Sequence, residues 1–133
     1  MCAARHSPSG QLVAIKRTKL YWDRAADDHK NVKRVLREVY ILRQLRHSHM
    51  VALLDILPPV NFESESFSEL YLVFALSQTD LAKLMQSAHV TLDHTHWREI
   101  CYQMLLGLRF CHTSLVIHRD LKPGALSRRA ALL

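Results

Sequence analysis

Apolar positions in the first half of the chain follow a strand-like spacing and then a helix-like one. Residues 11–16 form a short β-type run after the turn signal Pro8-Ser9-Gly10, which predicts a strand. From about His29 to Arg46, apolar residues recur at spacings of three and four, which predicts an amphipathic helix. Its predicted buried stripe consists of Val32, Val35, Leu36, Val39 and Leu42. Asp27 or Asp28 is the predicted N-cap of this helix.

Two further apolar runs predict a hairpin. Met50–Leu57 is typical of a strand and stops at Pro58-Pro59, because proline cannot donate to a ladder. Leu70–Leu76 is typical of a second buried strand. The residues between them, 60–69, are acidic and rich in serine, so the hairpin would have a long loop.

The second half of the chain predicts helices. A short helix runs from Leu81 to about Met85, with Ser77 or Thr79 as its predicted N-cap. A long helix begins near Asp93 and ends near Thr113. Its apolar stripe consists of Trp97, Ile100, Cys101, Met104, Leu105 and Leu108. The stripe is wide enough to need cover on more than one side. Where that cover is missing, the exposed apolar helix face would favour aggregation or association with another protein.

Composition narrows the class of protein. The chain has 133 residues, the size of one ordinary domain, and 49% of them are hydrophobic, so wholesale disorder is excluded. The formal charge is +6, with cations spread along Lys16–Arg46 and at Arg128 and Arg129 among acidic residues. Because these cations are mixed with acidic residues, the pattern favours a solvated helix face over a nucleic-acid surface.

The cysteines and the N-terminus indicate a cellular compartment. The chain has three cysteines, an odd number without a C-x-x-C spacing, which is typical of reduced thiols in a cytoplasmic or nuclear protein. Met1–Gly10 has no apolar core of a secretory signal. No run of eighteen apolar residues occurs, so no membrane span is predicted.

Two histidine pairs and one cysteine are further candidates for a chemical site. His47 with His49, and His94 with His96, lack a clear third ligand, so we interpret them as surface histidines and predict no metal site. Cys111 lies beside His112, but a buried helix cysteine is a simpler interpretation than a thiol nucleophile.

Three short motifs stand in a fixed order along the chain. Val13-Ala14-Ile15-Lys16 lies on the first predicted strand, Arg37-Glu38 on the first long helix, and His118-Arg119-Asp120-Leu121-Lys122-Pro123 follows the second. Taken singly, Lys16 could be a solvated residue at the end of an edge strand. Glu38 lies beside the apolar stripe and needs a partner, and Arg34 one turn earlier could supply it.

Taken together, the three motifs resemble those of eukaryotic serine/threonine protein kinases. Shorter segments are similar to the MAP-kinase branch, including Leu36-Arg37-Glu38, Asp55-Ile56-Leu57-Pro58 and Thr79-Asp80-Leu81. The resemblance covers about residues 2–123 and implies an α+β, partial protein-kinase-like fold. Residues 1–76 would form an N-lobe sheet with one long helix, without the Gly-rich loop. Residues 77–123 would form the hinge and the start of the C-lobe, and 124–133 an unrelated tail.

The resemblance implies roles for residues around a bound ATP. Lys16 would contact the nucleotide phosphates, with Glu38 holding it in place. Ala14 would touch the adenine, and Phe74 would sit behind it at the gatekeeper position. Ala75-Leu76-Ser77 would form the hinge that hydrogen-bonds the adenine edge.

The remaining implied roles belong to three charged residues. Asp80 would lie near the ribose. Asp120 would be the catalytic carboxylate that accepts the proton of the substrate hydroxyl, and Lys122 would face the transferred phosphoryl group.

The chain also departs from the family pattern. No G-x-G-x-x-G precedes the first strand, although Cys2–Arg5 could be a stub of the strand that follows that loop. Ala125 occupies the place of the metal-binding Asn, and no acidic residue follows Asp120, so no D-F-G is present. The family phosphorylates protein Ser or Thr with ATP and Mg²⁺, and has protein substrates and cascade partners. For this chain we expect weak or absent ATP binding, no metal ligands and no catalysis; the alternative is a non-catalytic nucleotide- or partner-binding module.

Overall fold

The computed structural model describes residues 1–20, 30–58, 69–77 and 79–126. These residues fall into two units: the first contains the described residues of 1–44 and 52–76, the second those of 45–51 and 77–126. The described elements, in chain order, are β1 (Cys2–Arg5), β2 (Leu12–Lys19), α1 (Lys30–Gln44), β3 (Leu53–Leu57), β4 (Glu69–Ala75), α2 (Leu81–Gln86), α3 (His94–Thr113) and a 3₁₀ turn (Pro123–Ala125). The predicted α+β class is confirmed.

The first unit is built on a four-stranded antiparallel sheet with strand order β1-β2-β4-β3. Strands β3 and β4 pair as neighbours, which confirms the predicted hairpin. Strand β2 pairs with β4 over seven positions, and the ladder continues to Lys19 opposite Glu69. This long ladder extends β2 beyond the predicted end at Lys16.

Both faces of this sheet carry buried residues: Ala14, Leu72 and Phe74 on one, Val13 and Val73 on the other. Residues directly opposite each other on antiparallel strands share a face, so Ala14 lies beside Phe74, and Lys16 beside Leu72. Ala14 and Phe74 are buried, and Leu72 has 0% exposure. Helix α1 adds the buried Val35 and Val39.

Two predictions about the first unit were wrong. Leu36 was placed in the buried stripe of α1, but it is 59% exposed, because the buried side of the helix is centred on Val35 and Val39. Strand β3 begins at Leu53 rather than at Met50. Met50 is buried in the second unit instead, where its Sδ atom lies 3.7 Å from the Sγ of Cys111. The predicted caps Asp27 and Asp28, and the loop residues 59–68, lie outside the described residues.

In the second unit, helix α3 begins where the sequence predicts. Asp93 is its N-cap: Oδ1 accepts hydrogen bonds of 2.9 Å from the backbone N–H groups of Thr95 and His96. These bonds satisfy two donors that a helix N-terminus would otherwise leave open. Cys111, near the other end of α3, is 1% exposed, which confirms the predicted buried cysteine.

The interpretation of the histidines holds for one pair and not for the other. His94 and His96 are exposed at the start of α3. His47 instead stacks on Phe110 with ring centroids 4.8 Å apart, and the Nδ1 of His49 is buried. Describing His47 and His49 as surface residues was therefore wrong, because α3 packs against their segment.

Part of the apolar surface of α3 is exposed in the described part of the chain. Trp97, Cys101, Tyr102 and Leu105 are all accessible. The expected exposed helix face is therefore present. Among the described helices, none combines the length and apolar character that a membrane crossing needs.

Candidate nucleotide and catalytic sites

Lys16 and Glu38 form an ion pair within the first unit. The Nζ of Lys16 donates to Oε1 of Glu38 at 2.8 Å, joining β2 to α1. Within the described residues, Glu38 forms no salt bridge with Arg34, the alternative partner. Both side chains of the pair are 40% exposed, so solvent screening limits its contribution to stability to less than about 1 kcal/mol. The ammonium group is therefore oriented by Glu38 and still accessible to an anion.

Ala14 and Phe74 lie side by side on the face of the sheet that carries Lys16. They are directly opposite in the β2–β4 ladder, and both are buried. Alanine at position 14 has only a methyl group, so the backbone of β2 can approach a flat ring closely. The two residues assigned to the adenine are thus adjacent and are placed by strand register alone.

The segment after β4 contains the other residues assigned to the nucleotide. Ala75 is the last residue of the strand, and Leu76 and Ser77 follow it, all partly exposed. The Ser77 hydroxyl donates to the carbonyl oxygen of Thr79 at 2.9 Å. Ser77 therefore stabilises the turn that leads to α2, and its hydroxyl is not the cap of that helix.

Asp80 is the N-cap of α2, so the prediction of Ser77 or Thr79 was wrong. Its Oδ1 accepts the backbone N–H of Lys83 at 2.9 Å, and its Oδ2 lies 3.5 Å from Lys83 Nζ. A carboxylate three residues before the free N–H reaches it directly, whereas Thr79 lies one residue too early. The residue assigned to the ribose therefore also fixes the start of a helix.

Replacing Asp80 by Ala is expected to destabilise the second unit by about 1 kcal/mol, the usual cost of losing a side-chain cap. Thr79→Ala is the matched control, because the sequence suggests Thr79 as the cap and the structure does not. Urea unfolding followed by circular dichroism measures both. Equal losses for the two variants would contradict the assignment of Asp80 as the cap.

Asp120 and Lys122 form a second ion pair, within the second unit. Lys122 Nζ donates to Oδ2 of Asp120 at 2.8 Å, and the side chains are 72% and 60% exposed for Asp120 and Lys122, respectively. The hydrogen bond from Lys122, followed by its positive charge, lowers the pKa of the Asp120 carboxyl. A lowered pKa means that the pair stabilises the fold above the pKa of the unfolded chain and loses this effect as the pH falls. At neutral pH Asp120 is thus an ionised acceptor beside a cation.

The backbone before Asp120 is bent in a way that the sequence does not reveal. Arg119 has φ = 66° and Leu115 has φ = 58°, a region that side chains other than glycine seldom occupy. The N–H of Asp120 donates to Nδ1 of His118 at 3.3 Å. His118 and Arg119 therefore shape the loop that presents Asp120.

Position 125 does not fit a metal ligand. Ala125 is only 6% exposed and lies in the 3₁₀ turn, where its N–H donates to the carbonyl oxygen of Lys122 at 2.8 Å. The adjacent Leu126 accepts the N–H of Leu81 at 2.8 Å, so this turn packs against α2. A buried methyl group offers no oxygen to Mg²⁺. Within the described ranges, no three His, Cys, Asp or Glu residues come together as a metal site.

The order and geometry of these residues agree with comparisons to known proteins. Residues 1–126 match the family described as "Protein kinase domain". The chain is 42% identical over 127 residues to mitogen-activated protein kinase 12 of Mus musculus, covering 96% of this chain and 33% of that protein. It is 38% identical over 126 residues to mitogen-activated protein kinase 1 of Oryza sativa subsp. japonica, covering 95% of this chain and 30% of that protein.

A third relative, extracellular signal-regulated kinase 1 of Dictyostelium discoideum, is 38% identical over 126 residues, 95% of this chain and 22% of that protein. The chain thus spans a third or less of the length of these relatives. The match extends across both ion pairs and the strands and helices that position them. The chain therefore belongs to the protein kinase family, as a MAP-kinase-like serine/threonine member.

Proposed function

We propose that this chain binds the phosphates of ATP through Lys16 and, as the 133-residue polypeptide, does not transfer a phosphoryl group. The observation that carries the proposal is the Lys16–Glu38 contact of 2.8 Å, because it orients an accessible ammonium group. An oriented cation favours a polyphosphate through charge-assisted hydrogen bonds. Ala14, Phe74 and the segment Ala75-Leu76-Ser77 are the residues we assign to the adenine, and Asp80 to the ribose.

The catalytic half of the proposal rests on Asp120, Lys122 and Ala125. In the family, Asp120 would accept the proton of a Ser or Thr hydroxyl, and Lys122 would stabilise charge on the transferred phosphoryl group. When bound, Mg²⁺ would supply most of the neutralisation of phosphate charge. The buried Ala125 cannot hold the ion, so the electrostatic stabilisation on which phosphoryl transfer depends is reduced.

The test of nucleotide binding is the affinity for ATP, measured by isothermal titration calorimetry. Lys16→Met is expected to weaken binding at least about tenfold, since a hydrogen bond to a charged group contributes about 1.5–3 kcal/mol. Lys19→Met is the matched control: it removes the same charge from an exposed position on the same strand. Equal loss of affinity in both variants would mean that only net charge matters. Absence of ATP binding by the unmodified chain would refute the proposal.

A separate measurement tests the absence of catalysis. Radiolabelled ATP and a basic Ser/Thr-containing protein are incubated with the chain and with Asp120→Asn. We expect no incorporation above background in either sample. Incorporation that disappears in Asp120→Asn would show that the chain is an active kinase.

The wider assignments are part of the same proposal. We assign residues 1–76 and 77–123 to the two lobes of the family, and 124–133 to a tail unrelated to it. Protein substrates, cascade partners and a cytoplasmic or nuclear location follow from the family alone. The second candidate function is a non-catalytic partner-binding module. The exposed Tyr102 and Leu105 on α3 favour it, because exposed apolar side chains promote association with another protein or with a second copy of the chain.

A further inference from the structure

Helix α1 carries a solvent-facing surface that the nucleotide site does not use. The side opposite the buried Val35 and Val39 is made of exposed residues spaced three and four apart. We call these residues the basic face: Lys33, Leu36, Arg37, Tyr40 and Arg43.

The charged residues of the basic face, Lys33, Arg37 and Arg43, are all positive. Helix α1 has no acidic residue in its first turn, and its single carboxylate, Glu38, is engaged by Lys16. In the described part of the chain, Lys33, Arg37 and Arg43 form no salt bridge. Lys33 and Arg37 are four residues apart on the helix, where like charges repel and weaken it. Cations near a helix N-terminus are also unfavourable to the helix dipole.

Two large apolar side chains lie among these charges. Leu36 is 59% exposed and Tyr40 is 68% exposed, and their spacing of four residues makes them neighbours on the helix surface. Tyrosine and arginine are the residue types that most often dominate binding energy in protein interfaces. A helix selected only for its own stability would carry carboxylates between Lys33 and Arg37 and polar residues in place of Leu36 and Tyr40.

We propose that the basic face binds an acidic segment of another protein, one that presents apolar side chains between its carboxylates. The carboxylates would pair with Lys33, Arg37 and Arg43, and the apolar side chains would cover Leu36 and Tyr40. A nucleic-acid backbone matches the charges but leaves Leu36 and Tyr40 without apolar contacts. A membrane surface needs a wide apolar stripe on the exposed side, and the exposed side of α1 has only Leu36 and Tyr40 among its charges.

The probe is a synthetic helical peptide of about 14 residues, or four turns, with Leu and Phe four residues apart and Glu on either side. Fluorescence anisotropy measures its affinity for the full chain. A reference peptide with Gln in place of each Glu tests the charge requirement. We expect the acidic peptide to bind at least about tenfold more tightly than the reference, with affinity falling as salt rises.

Variants locate the binding surface. Arg37→Glu is expected to weaken binding of the acidic peptide at least about tenfold. Lys19→Glu makes the same charge change at an exposed position of β2 and is expected to weaken it less than about threefold. Tyr40→Ala leaves the charge unchanged and is expected to weaken binding about tenfold, which keeps the test decisive if Arg37→Glu fails to fold.

Three results would overturn the proposal. The first is equal affinity for the acidic and reference peptides, and the second is equal loss in Arg37→Glu and Lys19→Glu. The third is tighter binding of a DNA duplex, or of phosphatidylserine vesicles, than of the acidic peptide, with that binding lost in Arg37→Glu. ATP affinity is a separate readout, because in the described structure the hydrogen bond and the ion pair of Lys16 are made with Glu38, which is not a basic-face residue.

Discussion

Replacing Leu72 by Ala is expected to lower the free energy of unfolding by about 2–5 kcal/mol. Leu72 has 0% exposure and lies on β4, an interior strand of the sheet, directly opposite Lys16. The substitution removes buried apolar surface and leaves a cavity that the surrounding strands can close only in part. Because units of this size have small net stability, a loss of this size is expected to leave the first unit largely unfolded near room temperature.

The measurement is urea unfolding followed by circular dichroism, with ATP affinity as a second readout. Leu12→Ala is the matched control: Leu12 is on the neighbouring strand β2 and is 49% exposed. It is expected to change the free energy of unfolding by less than about 0.5 kcal/mol, as most surface substitutions do. Similar midpoints for the two variants would contradict the described packing of the sheet.

Native Cys111 is expected to react with iodoacetamide at least about a hundredfold more slowly than Cys101. Both lie on α3, but Cys111 is 1% exposed and packs against Met50, whereas Cys101 is exposed. Burial raises the pKa of the Cys111 thiol, which reduces the reactive thiolate. Iodoacetamide can also reach Cys111 only when the structure around it unfolds locally, and each 1.4 kcal/mol of free energy for that opening slows labelling about tenfold.

Mass spectrometry of peptides at successive times gives the rate for each thiol. In concentrated urea the rates of Cys2, Cys101 and Cys111 should converge, because the unfolded chain exposes all three. That convergence is the control for intrinsic reactivity. Equal rates for Cys101 and Cys111 in the native chain would mean that α3 does not pack on the segment around Met50.

The sequence predicts this fold best where the pattern of apolar residues lies within a single helix or within neighbouring strands. The hairpin of β3 and β4 follows from two short apolar runs, and the start of α3 near Asp93 from the helical spacing of apolar residues. The cap of α2 was missed because Ser77, Thr79 and Asp80 are all good capping residues, and only backbone geometry decides which one reaches the N–H of Lys83. Met50 was assigned to a strand because a buried apolar run has the same appearance whichever neighbour buries it.

The candidate site likewise contains one contact that the sequence predicts and others that it does not. The Lys16–Glu38 pair is what the family resemblance implies, and the structure places Lys16 Nζ 2.8 Å from Glu38 Oε1. The role of His118 as an acceptor for Asp120 N–H could not be predicted, because it depends on the backbone angles of Arg119. The exposed pair Leu36 and Tyr40 was also missed. Their exposure depends on which side of α1 is buried, and the spacing of apolar residues along the helix does not decide this.

The strand order of the sheet has a consequence for how the first unit forms. Strands β3 and β4 are close in sequence, and so are β1 and β2, but the ladder between β2 and β4 joins one hairpin to the other. Bringing distant segments together costs chain entropy before any contact is gained, so we expect that central ladder to form more slowly than either hairpin. A proteolytic cut anywhere between α1 and β3 would place the two strands of the ladder that positions Lys16 on different polypeptides.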